Sequence, residues 1–334
     1  MQHQRLYRFA WAVLIYTLGV ILWGAFVRAT GSGAGCGSHW PLCNGAIIPR
    51  DPHLTTIIEF GHRITSGLAL VLVVVLLVWV LRVLPRGALA RAGAWWVAFF
   101  MLTESLIGAA LVLMELVGDN DSVHRAIWMA AHLLNTFFLI AALSLTIWWL
   151  GGGAGLRLRQ HRSMGIALGV ALVGMLWLGM SGAVAALGNT LFPSATLIDG
   201  IRQDFSPTAH FLIRLRIFHP LIAGVVGLYV LVLVAYTDYR TPTLLAARLT
   251  RLLLMLFGLQ MVAGMLNLVL MAPVWLQLTH LLLANLIWIA TIFLTAESLS
   301  QPTLRPARLI LPQRYSMPSV RQQVSGSDQT SPQG

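Results

Sequence analysis

The chain has 334 residues, of which 57% are hydrophobic and only 10% charged, and its mean hydropathy is +0.78. Soluble domains carry about 25% charged residues, so this composition excludes a water-soluble globular protein and points to an integral membrane protein. The net charge of +11 is not read as a nucleic-acid footprint. Every cation is an arginine. With a cytoplasmic N-terminus, fifteen of the 22 fall on the cytoplasmic side, among them Arg5, Arg82, Arg157, Arg240 and Arg305. The outer side keeps Arg28, Arg50, Arg63, Arg125, Arg202, Arg214 and Arg216. The positive-inside rule then places both termini in the cytoplasm, with the lipid bilayer as the surrounding partner and no nucleic acid expected.

Apolar runs of about 20 residues predict eight spans: 8–28, 61–82, 94–116, 126–149, 164–188, 215–236, 252–272 and 277–297. They must be helices, because backbone exposed to lipid has to satisfy its own hydrogen bonds, and no alternating barrel pattern is present. The first span lacks a small-residue cleavage site and is read as a retained helix. It runs into a long outer loop, 29–58, which holds Cys36 and Cys43. Their spacing is neither a c-type haem motif nor a zinc knuckle. Both face the oxidising side, which favours a disulfide worth roughly 2–3 kcal/mol in the chain-entropy picture; a redox-active dithiol is the alternative. A second long outer loop, 189–214, follows span 5. The tail, 301–334, is rich in Pro, Ser, Gln and Arg and is expected to be a disordered cytoplasmic segment.

Spans 1–4 and 5–8 read as two copies of one unit. "FGHRITSGLAL" in span 2 matches "IFHPLIAGVVG" in span 6, and "AAHLLNTFFLI" in span 4 matches "LTHLLLANLIW" in span 8. Four spans per copy leave both copies in the same orientation, a parallel repeat about an axis along the membrane normal. The expected fold is therefore all-α, with eight transmembrane helices arranged as two tandem pseudo-symmetric four-helix bundles, 1–150 and 151–300.

Four histidines, His62, His132, His219 and His280, lie near the outer ends of the even-numbered spans. Ionisable groups inside a membrane are functional by default. Zinc wants three or four protein ligands, and only Glu59 could join one of these pairs. Two axial imidazoles suit a haem, whose porphyrin supplies the other four ligands. His3, His39, His53, His124, His161 and His210 lie in loops, at the terminus or near the outer mouth, and read as solvated. The halves also differ. Glu59 and Arg63 of the first half are replaced by Arg216 and Pro220 in the second, and Glu104 by Gln260. Glu59 shares a helical face with His62, so a carboxylate flanks only the first site; an ion pair with Arg63, near a helix start, is the plainer reading of the same residues. This asymmetry points to one site for chemistry and another for a fixed redox cofactor.

"GAFVRATGSGAGC", "EFGHRITSG", "AAHLLNTFF", "FHPLIAG" and "LTHLLLANLIW" together resemble the haem A synthase family, bacterial and mitochondrial, over about residues 8–297. The resemblance implies a multi-pass protein of the bacterial cell membrane and an oxidoreductase acting on a methyl group. Haem O would be the substrate, its C8 methyl oxidised to a formyl group by successive hydroxylations. His62 and His132 would ligate the substrate iron, and His219 and His280 a resident haem b cofactor. Glu59 would be the catalytic acid, supported by Arg63. Haem O synthase, the farnesyltransferase of the preceding step, is the implied partner. The electron acceptor and any homo-oligomer stay open. Some bacterial members carry a second cysteine pair after span 5, and residues 189–214 have none. Two competing readings are a non-catalytic di-haem b-type electron-transfer cytochrome, which leaves the one-sided Glu59 unexplained, and a transporter or scaffold without pigment.

Overall fold

Each predicted span is realised as a helix, and the boundaries follow local chemistry. The structure is a computed structural model that describes residues 1–300; the tail 301–334 lies outside the described residues. In chain order the helices are α1 (Gln2–Ala29), α2 (Leu54–Val83), α3 (Leu89–Leu113), α4 (Val123–Leu150), α5 (Arg162–Leu191), the short α6 (Leu197–Asp204) and α7 (Phe211–Leu215), α8 (Phe218–Arg240), α9 (Leu244–Val269) and α10 (Val274–Ser300). Among the described residues eight segments are long and apolar enough to cross a membrane, with α7 and α8 counted as one. No strand pairs with another among the described residues beyond an isolated bridge, Cys43 to Ala46. The chain is an all-helical integral membrane protein.

Side-chain caps start several helices. Ser122 accepts from the Arg125 amide at 3.2 Å and Thr243 from the Ala246 amide at 3.0 Å, satisfying otherwise orphaned first-turn donors. Helix α2 ends where Leu84 turns extended ahead of Pro85, as the residue before a proline tends to do. Pro220 has a larger effect. It lies in the first turn of α8, where its missing N–H costs nothing, but its ring blocks a continuous helix from residue 216. The hydrogen-bond ladder is interrupted between α7 and α8, where the His219 amide bonds the Arg216 carbonyl at 3.3 Å, while the backbone of Arg216 and Ile217 stays helical. The first half carries Arg63 at the matching place, and α2 runs unbroken from Leu54.

Helix α1 packs on α2, α2 on α3, α3 on α4, and α4 back on α1. Likewise α5 packs on α8, α8 on α9, α9 on α10, and α10 on α5. Helices α1 and α4 also pack against α5 and α10, and one apolar core runs through all eight long helices. The Trp288 indole N–H donates to the Phe137 carbonyl at 2.8 Å, and Trp11 stacks on Phe293 at 5.8 Å. Arg28, at the end of α1, donates to the Ala186 carbonyl (2.9 Å), Thr190 Oγ1 (2.7 Å) and Gln277 Oε1 (2.9 Å). The remaining faces carry exposed apolar side chains such as Val71, Trp95, Val225 and Leu268, which suit contact with lipid.

Candidate functional site

The four histidines come from helices that stand across each ring of packing: α2 opposite α4, and α8 opposite α10. His62 lies within electrostatic reach of His132. The rings of His219 and His280 are 6.3 Å apart between centroids and nearly perpendicular, at 81°. On the flanking helices a glycine faces each imidazole. A Cβ on Gly24 of α1 would fall 2.9 Å from His62 Cε1, and one on Gly182 of α5 would fall 2.9 Å from His219 Cε1. Gly264 of α9 faces His280 Cε1 at 3.3 Å, and Gly108 of α3 faces His132 Nε2 at 3.7 Å. Any larger residue at Gly24 or Gly182 would press on an imidazole, so the internal repeat extends to the space cleared around each ring.

The surroundings of the two pairs differ. Glu59 is buried, at 3% exposure. Its Oε2 accepts from the Cys36 amide at 2.7 Å, and its Oε1 accepts from Arg63 Nε at 3.1 Å and from Arg63 Nη2. The i,i+4 pair with Arg63 is thus formed, but α2 begins at Leu54, so Glu59 sits beyond the first turn and is not a helix-start carboxylate. Arg63 also donates through Nη1 to the carbonyls of His39 and Leu42, inside the loop that a Cys36–Cys43 disulfide closes. Thr56 Oγ1 adds a bond to the Gly35 carbonyl at 2.8 Å. Gly35 passes so close that a Cβ there would fall 2.5 Å from the Thr55 backbone. The first outer loop is therefore laid on the start of α2, directly over Glu59.

In the second half Arg216 occupies the position matching Glu59. Its Nε donates to Asp204 Oδ1 at 2.9 Å and its Nη1 to Asn189 Oδ1 at 3.1 Å. Each outer loop is fastened by the residue three before a histidine, with opposite charge in the two halves.

Several contacts were not visible from sequence. Glu104 of α3 approaches His132: its Oε1 is 3.0 Å from Nδ1, although the ring is poorly aligned for a straight hydrogen bond. Glu104 also accepts from Asn135 Nδ2 at 2.6 Å and from Thr136 Oγ1. The signal available was a carboxylate within an apolar span, matched to Gln260. In the second half Gln260 Nε2 lies 3.2 Å from His280 Nε2, and Ser181 Oγ 3.1 Å from His219 Nδ1. His210, expected to be solvated, instead lies against the rings of Phe192 and Phe211 and 3.4 Å from Asp121. Among the described residues no group of three or more His, Cys, Asp or Glu gathers as a metal site, so an ion held by protein ligands alone has no candidate there.

These features define a helical membrane protein with paired histidines inside it. The profile of the COX15-CtaA family, cytochrome oxidase assembly protein, matches residues 7–292, and the chain belongs to that family. It is 50% identical over 301 residues to a protoheme IX farnesyltransferase of Thermus thermophilus, covering 90% of this chain and 50% of the relative. It is 46% identical over 125 residues to a heme A synthase of Symbiobacterium thermophilum (37% of this chain, 40% of the relative), and 36% identical over 146 residues to one of Alkalihalophilus pseudofirmus (43% and 46%). The chain spans about half, or less, of the length of these curated relatives.

Proposed function

We propose that the chain is a haem A synthase that oxidises the C8 methyl of haem O to a formyl group, with haem b as a resident cofactor. The observation that carries this reading is the duplicated histidine pair, each imidazole faced by a glycine, with carboxylates beside the first pair alone. Relatives named heme A synthase support it.

The residues present fit a flat iron macrocycle. Among the four histidines, Nδ1 of His62, of His132 and of His280 is a buried nitrogen without an aligned hydrogen bond. The 6.3 Å between the rings of His219 and His280 is comparable to what two metal–imidazole bonds of about 2 Å each, plus the ring radii, would span. His219 and His280 would hold haem b, which supplies one-electron redox capacity when bound. His62 and His132 would hold the substrate by its iron and so orient its methyl edge.

Replacing methyl hydrogens by oxygen from water releases electrons and protons together. The electrons would leave through the second site to an acceptor. Glu59 suits the other half of the task, because Arg63 and the Cys36 amide fix the carboxylate in one place. A fixed carboxylate can stabilise positive charge at a methyl carbon or take a proton from incoming water. The outer loop over Glu59 would limit bulk water at that carboxylate. In this reading both termini are cytoplasmic in a bacterial cell membrane, and haem O arrives from a farnesyltransferase. The Thermus relative of that name, about twice the matched length, agrees with a coupling of the two steps.

The test is to express the full chain in membranes supplied with haem O and identify the extracted pigments by mass. Wild type should yield haem A. Glu59→Ala should yield none while keeping the haem bound by His219 and His280. Full haem A formation in Glu59→Ala would remove the catalytic assignment; absence of haem A from a haem-loaded wild-type chain would remove the function.

A further inference from the structure

His132 is the one of the four histidines that has a carboxylate at its ring. Glu104 places Oε1 3.0 Å from His132 Nδ1. The carboxylate is itself held: Asn135 Nδ2 donates to its Oε2 at 2.6 Å, and Thr136 Oγ1 donates to its Oε1. Asn135 is locked in turn, donating to the Phe100 carbonyl at 2.9 Å and accepting from Thr103 Oγ1 at 2.7 Å. Asn135 and Thr136 both point donors at Glu104. The other rings differ. His219 Nδ1 meets a neutral hydroxyl, Ser181; Nδ1 of His62, of His280 and of His132 lacks an aligned hydrogen bond, but only that of His132 has a carboxylate at bonding distance. At the place of Glu104, four residues before the facing glycine, the second half has the neutral Gln260.

We propose that Glu104 is a positioning residue that makes His132 the most electron-donating of the four imidazoles. The first site would then hold ferric iron more strongly than the second, and electrons would run from first to second. The inference rests on the reading of His132 as an iron ligand. The warrant is general: a ligand histidine that gives its second ring N–H to a carboxylate has its tautomer and orientation fixed and its basicity raised. A more basic ligand favours the ferric over the ferrous state. A small rotation of the His132 ring brings its N–H onto the carboxylate, since the distance is already that of a bond.

The experiment uses the full chain loaded with ferric protoporphyrin and titrated spectroelectrochemically. The first-site midpoint is assigned as the one lost in His132→Ala. Glu104→Gln, which copies the second half, should raise that midpoint by an amount equal to about a tenfold change in the ferric-to-ferrous preference, about 59 mV for one electron. The second-site midpoint should stay in place. The reciprocal Gln260→Glu should lower the second-site midpoint, and it carries the test alone if Glu104→Gln does not fold. A merely structural tie between α3 and α4 would change yield or melting without moving a midpoint. Unmoved midpoints in both variants, or equal movement of both sites in either, overturn the proposal. If His132→Ala loses no pigment, the ligand assignment itself fails and this inference falls with it, an outcome distinct from unmoved midpoints.

Discussion

At the scale of single residues, what distinguishes this chain is the space cleared around its histidines. Gly24 and Gly182 hold the two closest approaches, where an added methyl would stand only 2.9 Å from an imidazole carbon. A ring free to turn could yield to that methyl, but a ring committed to an iron atom could not. Overpacking of this kind costs about 1–3 kcal/mol, which corresponds to roughly a 5- to 150-fold loss of affinity at the site. Gly24→Ala should therefore deplete pigment held by His62 and His132, and Gly182→Ala pigment held by His219 and His280. Gly19→Ala on the same α1, with open space beside it, is the control and should keep both. Haem content per chain, read from the Soret band in each variant, checks this; equal retention in all three would show that the rings are not fixed by a ligand.

At the scale of elements, the decisive joint is the first outer loop on the start of α2. Arg63 reaches Glu59 below and the carbonyls of His39 and Leu42 above, a span that needs the planar fork of a guanidinium. Arg63→Lys keeps the charge but loses the fork. It should lower haem A formation about tenfold or more through a displaced Glu59, with hydrogen exchange rising in residues 35–44 and pigment content unchanged. Unaltered exchange in that loop would separate Arg63 from the clamp. Much of this level was legible in the sequence. Eight apolar runs became eight spanning segments, because lipid enforces helix wherever apolar length suffices. The Glu59–Arg63 pair followed from helical spacing alone. The bonds from Arg63 to the loop carbonyls did not, since they depend on how a loop backbone folds back in three dimensions. Nor did the approach of Glu104 to His132, which joins two helices whose relative rotation no local pattern states. Pro220 was visible as a difference between the halves, and the interrupted hydrogen bonding between α7 and α8 is its physical consequence.

At the scale of the whole molecule, the two sets of four helices share one core rather than meeting at a wet boundary. Beside the apolar core and the stacking of Trp11 on Phe293, side-chain hydrogen bonds join them at two levels. Arg28 gives three hydrogen bonds to α5 and α10 at the outer end, and Trp288 gives one to the Phe137 carbonyl further along α10. Gln277, which Arg28 reaches, and Trp288 lie eleven residues apart on that helix, roughly 16 Å at the usual rise. Sites that far apart with no shared partner add their effects. Trp288→Phe removes one buried hydrogen bond to a carbonyl that keeps its helical partner within α4, at about 0.5–1.5 kcal/mol. Arg28→Met removes three hydrogen bonds at once, although Thr190 still bonds the Ala186 carbonyl and Gln277 the Ala272 carbonyl, a loss of similar or greater size. Thermal unfolding of the purified chain, followed by loss of the Soret band and by helix content, should show one transition in each single variant. The double variant should fall by the sum of the two shifts. Because both bonds hold the same seam, the pigment bands of the two sites should be lost together with helix content. A double variant in which one band melts well before the other would mean that each set of helices is stable by itself, and that the seam joins two units without making them one.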